Sequence, residues 1–366
     1  MKLVPVLFLV FFCLVRANGN ELLTSTLIKI GAHGNGNQEA IRAISKDNQL
    51  DHSSILPLLI AMNSANSVGD NWIRAVISET IISSDPANFP IQKIHNFLEN
   101  QSNAGSSRLT AFELLQDNNP KLANSIIPSL IHDPEPSLRR YAIAKILDDA
   151  SLEKDAEIAL GLYQKALNFA REVDQIQEAT KQLRNRGETI NLVELMGFIT
   201  SWEIVGPFDN SERMGFGKVY SPETESVSSE SYEGKNGQAR WTAFSTSHNL
   251  GMLDINEEYG QIKEALAYAK TTFVTDRAQK VQIRLGSKNA WKVWVNGDLL
   301  YSRDEYHRGK TRIDQFVIDG ELEKGANKIL LKVCQNEQTQ SWTKQWEFCL
   351  RITDRSGKPI RQSSVN

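Results

Sequence analysis

Four arginines in the first half of the chain recur at a nearly constant interval. They stand at positions 42, 74, 108 and 140, which are 32, 34 and 32 residues apart. The surrounding residues are also similar, as in Ile41-Arg42-Ala43-Ile44 and Ile73-Arg74-Ala75-Val76. A period in this range is typical of stacked two-helix units, none of which can bury its apolar face alone. The spacing therefore predicts a helical solenoid over residues 20–150.

The clearest of these repeats covers residues 126–142. An apolar segment leads to Asp133-Pro134, and a second segment begins with Leu138-Arg139-Arg140. Proline disfavours helix in the residue before it, so this dipeptide predicts the turn between two helices. The pattern resembles a HEAT repeat, which implies a surface that binds proteins. Residues 151–198 continue the helical pattern and resemble a tetratricopeptide-type hairpin that caps the solenoid.

From Trp202 onward the apolar period changes from helical to alternating. Short alternating segments recur near 240–246, 266–275, 279–286, 290–296, 298–302, 313–319, 327–334 and 345–353, with Gly, Asn, Asp or Pro between them. Regularly spaced short strands with turn signals are typical of an antiparallel β-sandwich, here predicted over residues 200–355. The polar stretch 220–237 is predicted to be a surface loop, and residues 356–366 a C-terminal tail.

Asn296-Gly297 joins two of these segments and is a strong signal for a two-residue hairpin turn. The hairpin at 292–297 and the later strand at 322–333 resemble the galactose-binding-like, jelly-roll β-sandwich of the glycoside hydrolase family 2 sugar-binding type. Most of the mature chain resembles secreted bacterial proteins in which HEAT repeats precede such a sandwich. The resemblance implies a multidomain α plus β protein that binds or scaffolds, with no catalytic role.

A two-residue turn at Asn296-Gly297 places Trp294, Leu299 and Tyr301 on one face of the hairpin, opposite the predicted core face. An apolar patch of this kind needs a cover. Another domain of the same chain, a protein partner and a carbohydrate are the three alternatives. These three residues are therefore candidates for a ligand-binding or interface surface.

The loop at 303–310 mixes charged side chains with Tyr306 and His307, a composition that suits a polyhydroxyl ligand. Trp342 lies in a polar segment between two predicted strands and is a further candidate. Solvated loop residues or a hydrophobic plug are the alternatives for these positions. Asp209-Asn210 and Asp254-Ile255-Asn256 could hold a structural calcium ion, although turn-forming side chains are the favoured interpretation. We predict no other metal and no cofactor.

The N-terminus resembles a secretory signal peptide over residues 1–17. Lys2 precedes an apolar run at 3–15, and Val15-Arg16-Ala17 provides a cleavage site after Ala17. No second apolar run is long enough to span a membrane, so an extracytoplasmic protein, periplasmic or secreted, is expected. The 41 basic and 44 acidic residues give a net charge of −3, which does not favour nucleic acid as a partner.

After signal cleavage the chain retains Cys334 and Cys349. If their strands pair as a hairpin, both side chains lie on the same face. An oxidising compartment would then permit a disulfide, with two free thiols as the alternative.

The sequence contains no recognisable nucleophile elbow, zinc-protease helix, phosphate loop or haem-attachment motif, and no catalytic residue is predicted. The expected function is exported, non-enzymatic scaffolding, with the helical repeats binding a protein and the sandwich contacting a polysaccharide. The alternative is a carbohydrate-binding accessory module that serves a separately encoded glycoside hydrolase.

Overall fold

The computed structural model describes residues 21–31, 34–46, 50–224 and 230–363. The chain divides into two compact units, Met1–Ala170 and Arg171–Asn366. The first is helical and the second is built mainly from antiparallel sheets, so the predicted α plus β multidomain class is confirmed. The signal peptide predicted at residues 1–17 lies outside the described residues.

The described part of the first unit consists of consecutive helices joined by short turns. They are α1 (21–28), α2 (Asn37–Lys46), α3 (Ile55–Met62), α4 (Ser67–Ser83), α5 (Ile91–Glu99), α6 (Gly105–Asn118), α7 (Pro120–Ile126), α8 (Pro136–Leu152) and α9 (Ala156–Phe169). Local residues define where several of them begin. The side chains of Asn66 and Asp155 accept hydrogen bonds from first-turn N–H groups of α4 and α9, and Pro136 occupies the first turn of α8.

Two of the recurring arginines connect successive helices. Arg108 on α6 donates from Nε to the carbonyl of Leu98 at 2.7 Å, and its guanidinium binds both carboxylate oxygens of Asp133. Arg108 and Asp133 are only 3% and 5% exposed. Arg74 on α4 donates to the carboxylate of Glu113 on α6 at 3.0 Å. Two of the four recurring arginines thus make polar connections between helices of this unit.

The second unit begins with α10 (Val173–Asn185) and α11 (Leu192–Met196) and continues into the strands. The strands are β1 (Ser201–Asp209), β2 (Tyr232–Gly234), β3 (Gly237–Ala239), β4 (Thr242–Ser245), β5 (Leu253–Asp254), β6 (Ala265–Thr275), β7 (Gln279–Gly286), β8 (Ala290–Val295), β9 (Asp298–Arg303), β10 (Phe316–Leu322), β11 (Gly325–Gln335) and β12 (Glu347–Thr353). Two short helices, α12 (Met214–Gly217) and α13 (Asn256–Tyr259), lie in the connections.

Ten of these strands form two sheets that pack face to face. The six-stranded sheet has the order β4-β1-β6-β11-β8-β9, the four-stranded sheet has the order β10-β7-β12-β5, and β2 and β3 form a separate hairpin. Alternate residues of both sheets point into one apolar core. Members of this core include Trp202, Ile204, Ile283, Leu285, Trp291, Val293, Ile329, Leu331, Val333, Phe348 and Leu350. Burial of each large side chain stabilises the fold by about 1.5–3 kcal/mol.

The outer face of the six-stranded sheet is buried as well. A second apolar cluster forms there, in which Trp294 and Leu330 of the sheet join Phe216 and Tyr232 from the connection between β1 and β4. Trp294 is only 7% exposed. The stretch 220–237 was predicted from its polar composition to be a surface loop, but its residues Tyr220 and Tyr232 contribute to a cover over the sheet. The described residues of that connection, 210–224 and 230–241, are hereafter called the cover segment.

A buried ion pair holds the cover segment on the sheet. Lys332 of β11 is 0% exposed, and its Nζ donates to the carboxylate of Glu223 at 2.8 Å and to the carbonyls of Phe216 and Lys218. The hydroxyl of Tyr268 donates to the same carboxylate. Burial lowers the pKa of Lys332, an effect that the hydrogen bond to Glu223 opposes.

The β8–β9 hairpin confirms the predicted turn but not the whole predicted register. Asn296 and Gly297 have φ values of 52° and 95°, as the turn requires, and Trp294 pairs with Leu299. Beyond this pair, Leu300 forms a bulge, and Val293 therefore pairs with Tyr301. The register shift places the ring of Tyr301 on the core face, with its centroid 5.5 Å from that of Trp291.

The disulfide considered for Cys334 and Cys349 does not form, and both residues are buried free thiols. The hairpin on which it depended is absent. Cys334 lies on β11, which pairs with β6 and β8, whereas Cys349 lies on β12 in the opposite sheet. Burial raises the pKa of each thiol to about 12.

Within the part of the chain that the structure describes, we find no helix whose length and apolar content would let it cross a membrane.

Candidate binding site at the loop end of the β-sandwich

One end of the sandwich concentrates buried polar side chains. The strand registers bring together the end of β1, the start of β6, the β7–β8 connection, the β9–β10 connection and the β11–β12 connection. We call this region the loop end. Its fully or almost fully buried polar residues are Asn210, Ser287, Lys288, Asn289, Gln335, Asn336 and Thr343. Buried polar groups must satisfy one another, so such a network fixes the surrounding loops.

His307 lies at the centre of this network, on the β9–β10 connection. Its backbone N–H donates to the carbonyl of Lys288 at 2.5 Å, and its Nε2 lies 2.8 Å from Gln335 Oε1 and 3.1 Å from Asn336 Oδ1. The amide of Gln335 donates to the carbonyl of Thr343, which fixes its oxygen toward the imidazole. Nε2 therefore carries the proton of the neutral ring, and Nδ1 is an acceptor.

The Nδ1 atom of His307 is buried and has no hydrogen-bond partner among the described residues. Burial lowers the pKa of His307 below its ordinary value of 6.5, and the positive charges of Lys263 and Lys288 act in the same direction. The loop end thus holds a neutral imidazole with one unused acceptor.

Tyr306, next to His307, is held from two sides. Asn210 Nδ2 donates to the hydroxyl of Tyr306 at 3.1 Å and to the carbonyl of Gln335 at 3.0 Å. The guanidinium of Arg213 lies 5.3 Å from the centroid of the Tyr306 ring, and it also forms an ion pair with Glu337. Burial raises the pKa of Tyr306, so its hydroxyl stays protonated. Asn210 Oδ1 is a second buried acceptor without a partner in the described structure.

Two lysines bind the turn that carries Trp342. Lys288 Nζ donates to the carbonyl of Trp342 at 2.6 Å, and Lys263 Nζ donates to the carbonyl of Thr343 at 2.7 Å. The turn is a single 3-10 turn at Ser341–Thr343. Its main chain is therefore fixed by two cations, whereas the side chain of Trp342 is 65% exposed.

The structure brings together three of the six candidate residues identified in the sequence. Tyr306, His307 and Trp342 all belong to the loop end. Trp294, by contrast, is buried under the cover segment, so it is not available to a ligand. Leu299 and Tyr301, 51% and 48% exposed, lie on β9 and lack the surrounding polar network.

Sequence reasoning did not identify Lys263, Lys288, Asn289, Gln335 or Asn336 as members of the site. These residues lie at strand ends or in the β5–β6, β7–β8 and β11–β12 connections, and strand pairing alone brings them together. The only available signal was their polar character at the ends of strands that are otherwise apolar.

The two segments considered for calcium are engaged within the protein. The Asp209 carboxylate pairs with Lys235 Nζ at 2.8 Å, and the hydrogen bond from Lys235 lowers the pKa of that carboxyl. Asp254 Oδ1 accepts hydrogen bonds from the main chain and side chain of Asn256, as in a turn. Among the described residues, no group of three His, Cys, Asp or Glu side chains is arranged to hold a metal ion.

A cavity of about 590 Å³ lies elsewhere in the second unit, between α11, β1, β6 and the C-terminal segment. Its lining includes Phe198, Phe273 and Ile360. None of its described lining side chains holds a buried polar atom without a partner. The loop end, in contrast, combines unpartnered acceptors, cations and an exposed indole.

No protein-family model and no curated protein matches the chain. The similar solved structures include the beta-glucosidase from Kluyveromyces marxianus, with 8% identity and a TM-score of 0.26 over 42% of this chain and 16% of that chain. They also include the PA14 domain of the antifreeze protein MpAFP, with 12% identity and a TM-score of 0.25 over 46% of this chain and 87% of that chain. This chain therefore matches only about a sixth of the glucosidase's length. At these TM-scores, neither likeness carries an argument about the site.

Proposed function

We propose that this chain is an exported, non-enzymatic binding protein whose galactose-binding-like sandwich binds a glycan at the loop end and whose HEAT-like helices contact a protein. The observation that carries the proposal is the exposed indole of Trp342, on a turn fixed by Lys263 and Lys288. Export is supported by the pattern of residues 1–17.

A sugar ring has a face of C–H groups and a rim of hydroxyls. An aromatic ring with a polar surround suits both, because the ring packs on the C–H face while polar groups hydrogen-bond to the hydroxyls. Trp342 supplies the ring. His307 Nδ1 and Asn210 Oδ1 can accept hydrogen bonds from ordered water that bridges to a ligand hydroxyl.

The non-enzymatic part of the proposal is supported by the state of a carboxylate at the loop end. Hydrolysis of a glycosidic bond usually requires a carboxylic acid whose pKa is raised so that it can donate a proton. At Glu337, both carboxylate oxygens accept hydrogen bonds from Arg213, and this lowers the pKa of the carboxyl. That environment suits a structural ion pair better than a general acid.

Protein binding by the helical unit rests on its HEAT-like sequence pattern. Ile82 and Leu152 are 80% and 79% exposed on α4 and α8. Both side chains are accessible to a protein partner. The alternative function, an accessory module for a separately encoded hydrolase, would use the same glycan site.

The glycan site can be tested by electrophoresis of the full chain through native gels that contain one polysaccharide each, from a panel of neutral and acidic polymers. We expect at least one polymer to retard the protein, and Trp342→Ala to weaken that retardation roughly tenfold through loss of ring packing. Tyr301→Ala is the matched control, because Tyr301 is also an exposed aromatic residue but lies outside the loop end.

Two results would contradict the proposal. One is that no polymer in the panel retards the wild-type chain. The other is that Trp342→Ala leaves the retardation unchanged in a protein whose far-ultraviolet circular dichroism spectrum is that of the wild type.

A further inference from the structure

We propose that the loop end selects anionic polysaccharides, with the ammonium group of Lys263 recognising a carboxylate or sulfate on a sugar ring that packs against Trp342 and the buried Lys288 adding positive potential. This inference rests on the proposed glycan-binding function and specifies its ligand class. It is carried by the positions, the hydrogen bonds and the burial of the two lysines.

Both ammonium groups are only partly satisfied. Lys288 Nζ has one hydrogen bond, to the carbonyl of Trp342, and Lys263 Nζ binds the carbonyl and, at 3.5 Å, the hydroxyl of Thr343. Neither has a carboxylate oxygen within 4.0 Å among the described residues. An ammonium group has three donors, so donors remain for an anion.

The two lysines lie close enough for their positive charges to act on each other. Lys263 experiences the positive charges of Lys288 and Lys344 and the negative charge of Glu337. Glu337 is already paired with Arg213 at the surface of the loop end. Lys263 and Lys288 are therefore like charges that act on each other, and neither has a carboxylate as a direct hydrogen-bond partner among the described residues.

Burial makes the two charges less favourable in the absence of a ligand. Lys288 is only 4% exposed, Lys263 is half-buried, and loss of hydration lowers the pKa of both lysines. The nearest described influence that favours the charged form of Lys288 is Glu347. An anion bound beside these ammonium groups would replace part of the lost hydration with charge-assisted hydrogen bonds.

The hydrogen bonds of Lys263 and Lys288 connect their positive charges to the turn that carries the Trp342 ring. The two lysines bind the carbonyls of adjacent residues, the first of which carries the exposed indole. A ring packed on Trp342 would therefore have an anionic substituent within reach of the half-buried Lys263, while Lys288 adds to the local positive potential. A neutral sugar would leave the cations unpaired.

Matched polymers test the inference on the full chain. Polygalacturonate is compared with its methyl ester, and dextran sulfate with dextran, by affinity electrophoresis at low and high NaCl. We expect at least one charged polymer to bind about tenfold more tightly than its neutral counterpart, and NaCl to reduce the difference. The pair that shows the difference identifies carboxylate or sulfate as the recognised group.

Lys263→Met should abolish the preference for charge while a weaker interaction through Trp342 remains. Lys344→Met is a second variant at an exposed position, in case Lys263→Met does not fold. Lys280→Met/Lys324→Met is the matched control, because it removes two positive charges at the opposite end of the sandwich. The control should retain the preference.

The outcomes separate this inference from the function on which it rests. Equal binding of charged and neutral polymers overturns the anionic preference but leaves glycan binding intact. A preference that survives in Lys263→Met and Lys344→Met, or that disappears in the control, also overturns it, because charge elsewhere on the chain would then be responsible. No binding to any polymer refutes both proposals.

Discussion

Replacing Glu223 by glutamine removes one negative charge from beneath the cover segment. The carboxylate lies 2.8 Å from Lys332 Nζ, and Lys332 is 0% exposed. At an effective dielectric constant of about 20, the attraction at this distance is about 6 kcal/mol before desolvation is counted. Removal of one partner from a buried ion pair usually costs about 3–5 kcal/mol. The glutamine oxygen can still accept from Nζ, so we expect Glu223→Gln to lower the free energy of unfolding by about 3 kcal/mol.

Urea unfolding of the full chain, followed by tryptophan fluorescence and circular dichroism, measures this loss. With a typical slope of about 2 kcal/mol per molar urea, the transition of the sandwich unit should move about 1.5 M lower. Glu203→Gln is the control, because the Glu203 carboxylate lies 3.4 Å from Lys270 and is 56% exposed. That variant should change stability by less than about 0.5 kcal/mol.

The reasoning is refuted if Glu223→Gln and Glu203→Gln have equal, small effects. Lys332 would then be reached by solvent, and the cover segment would not be closed over the sheet. A double variant, Lys332→Met/Glu223→Gln, should recover stability relative to Glu223→Gln, because no uncompensated buried charge remains.

Two further variants test polar connections in the two units. Arg108→Ala should lower the stability of the helical unit by about 3–5 kcal/mol, because it leaves the Asp133 carboxylate buried and unpaired; a loss below about 1 kcal/mol in urea unfolding would contradict this. At Asp314, burial alone would raise the pKa, but Arg351 and Arg284 lower it below its ordinary value of 3.8. The charged carboxylate therefore stabilises the fold at neutral pH, and this stabilisation is lost as the pH falls through the lowered pKa. Asp314→Asn should be less stable than wild type at pH 7, and the difference in stability should shrink as the pH falls below 3.8. If thermal unfolding shows a difference in stability that does not change with pH, this prediction is contradicted.

The strands could be predicted because alternation and turn residues are local properties of the sequence. The segments predicted near 279–286 and 345–353 correspond closely to β7 and β12. Alternation also describes the core face of β11, which carries Ile329, Leu331 and Val333. It could not show that the opposite face is buried too, because the cover segment is distant in sequence and polar in composition.

Residues of the candidate site could be predicted only where the composition of a single loop indicated them. Tyr306 and His307 were identified from the composition of a single connection, and Trp342 from an aromatic residue in a polar segment. The lysines at 263 and 288 could not be identified, because their relation to Trp342 depends on which strands are neighbours. Strand neighbours are set by long-range packing, which local sequence patterns do not show. For the same reason the sequence could not show that β11 and β12 belong to different sheets and form no hairpin.

The bulge at Leu300 affects whether β9 can pair with a strand of another protein chain. β9 is an edge of the six-stranded sheet, and a regular edge strand offers unpaired N–H and C=O groups on which a foreign strand can assemble. The extra residue breaks the spacing of those groups, and the charges of Asp298 and Arg303 flank the strand. Exposed Leu299 and Tyr301 are thus carried on an edge that resists intermolecular sheet extension and the aggregation that would follow from it.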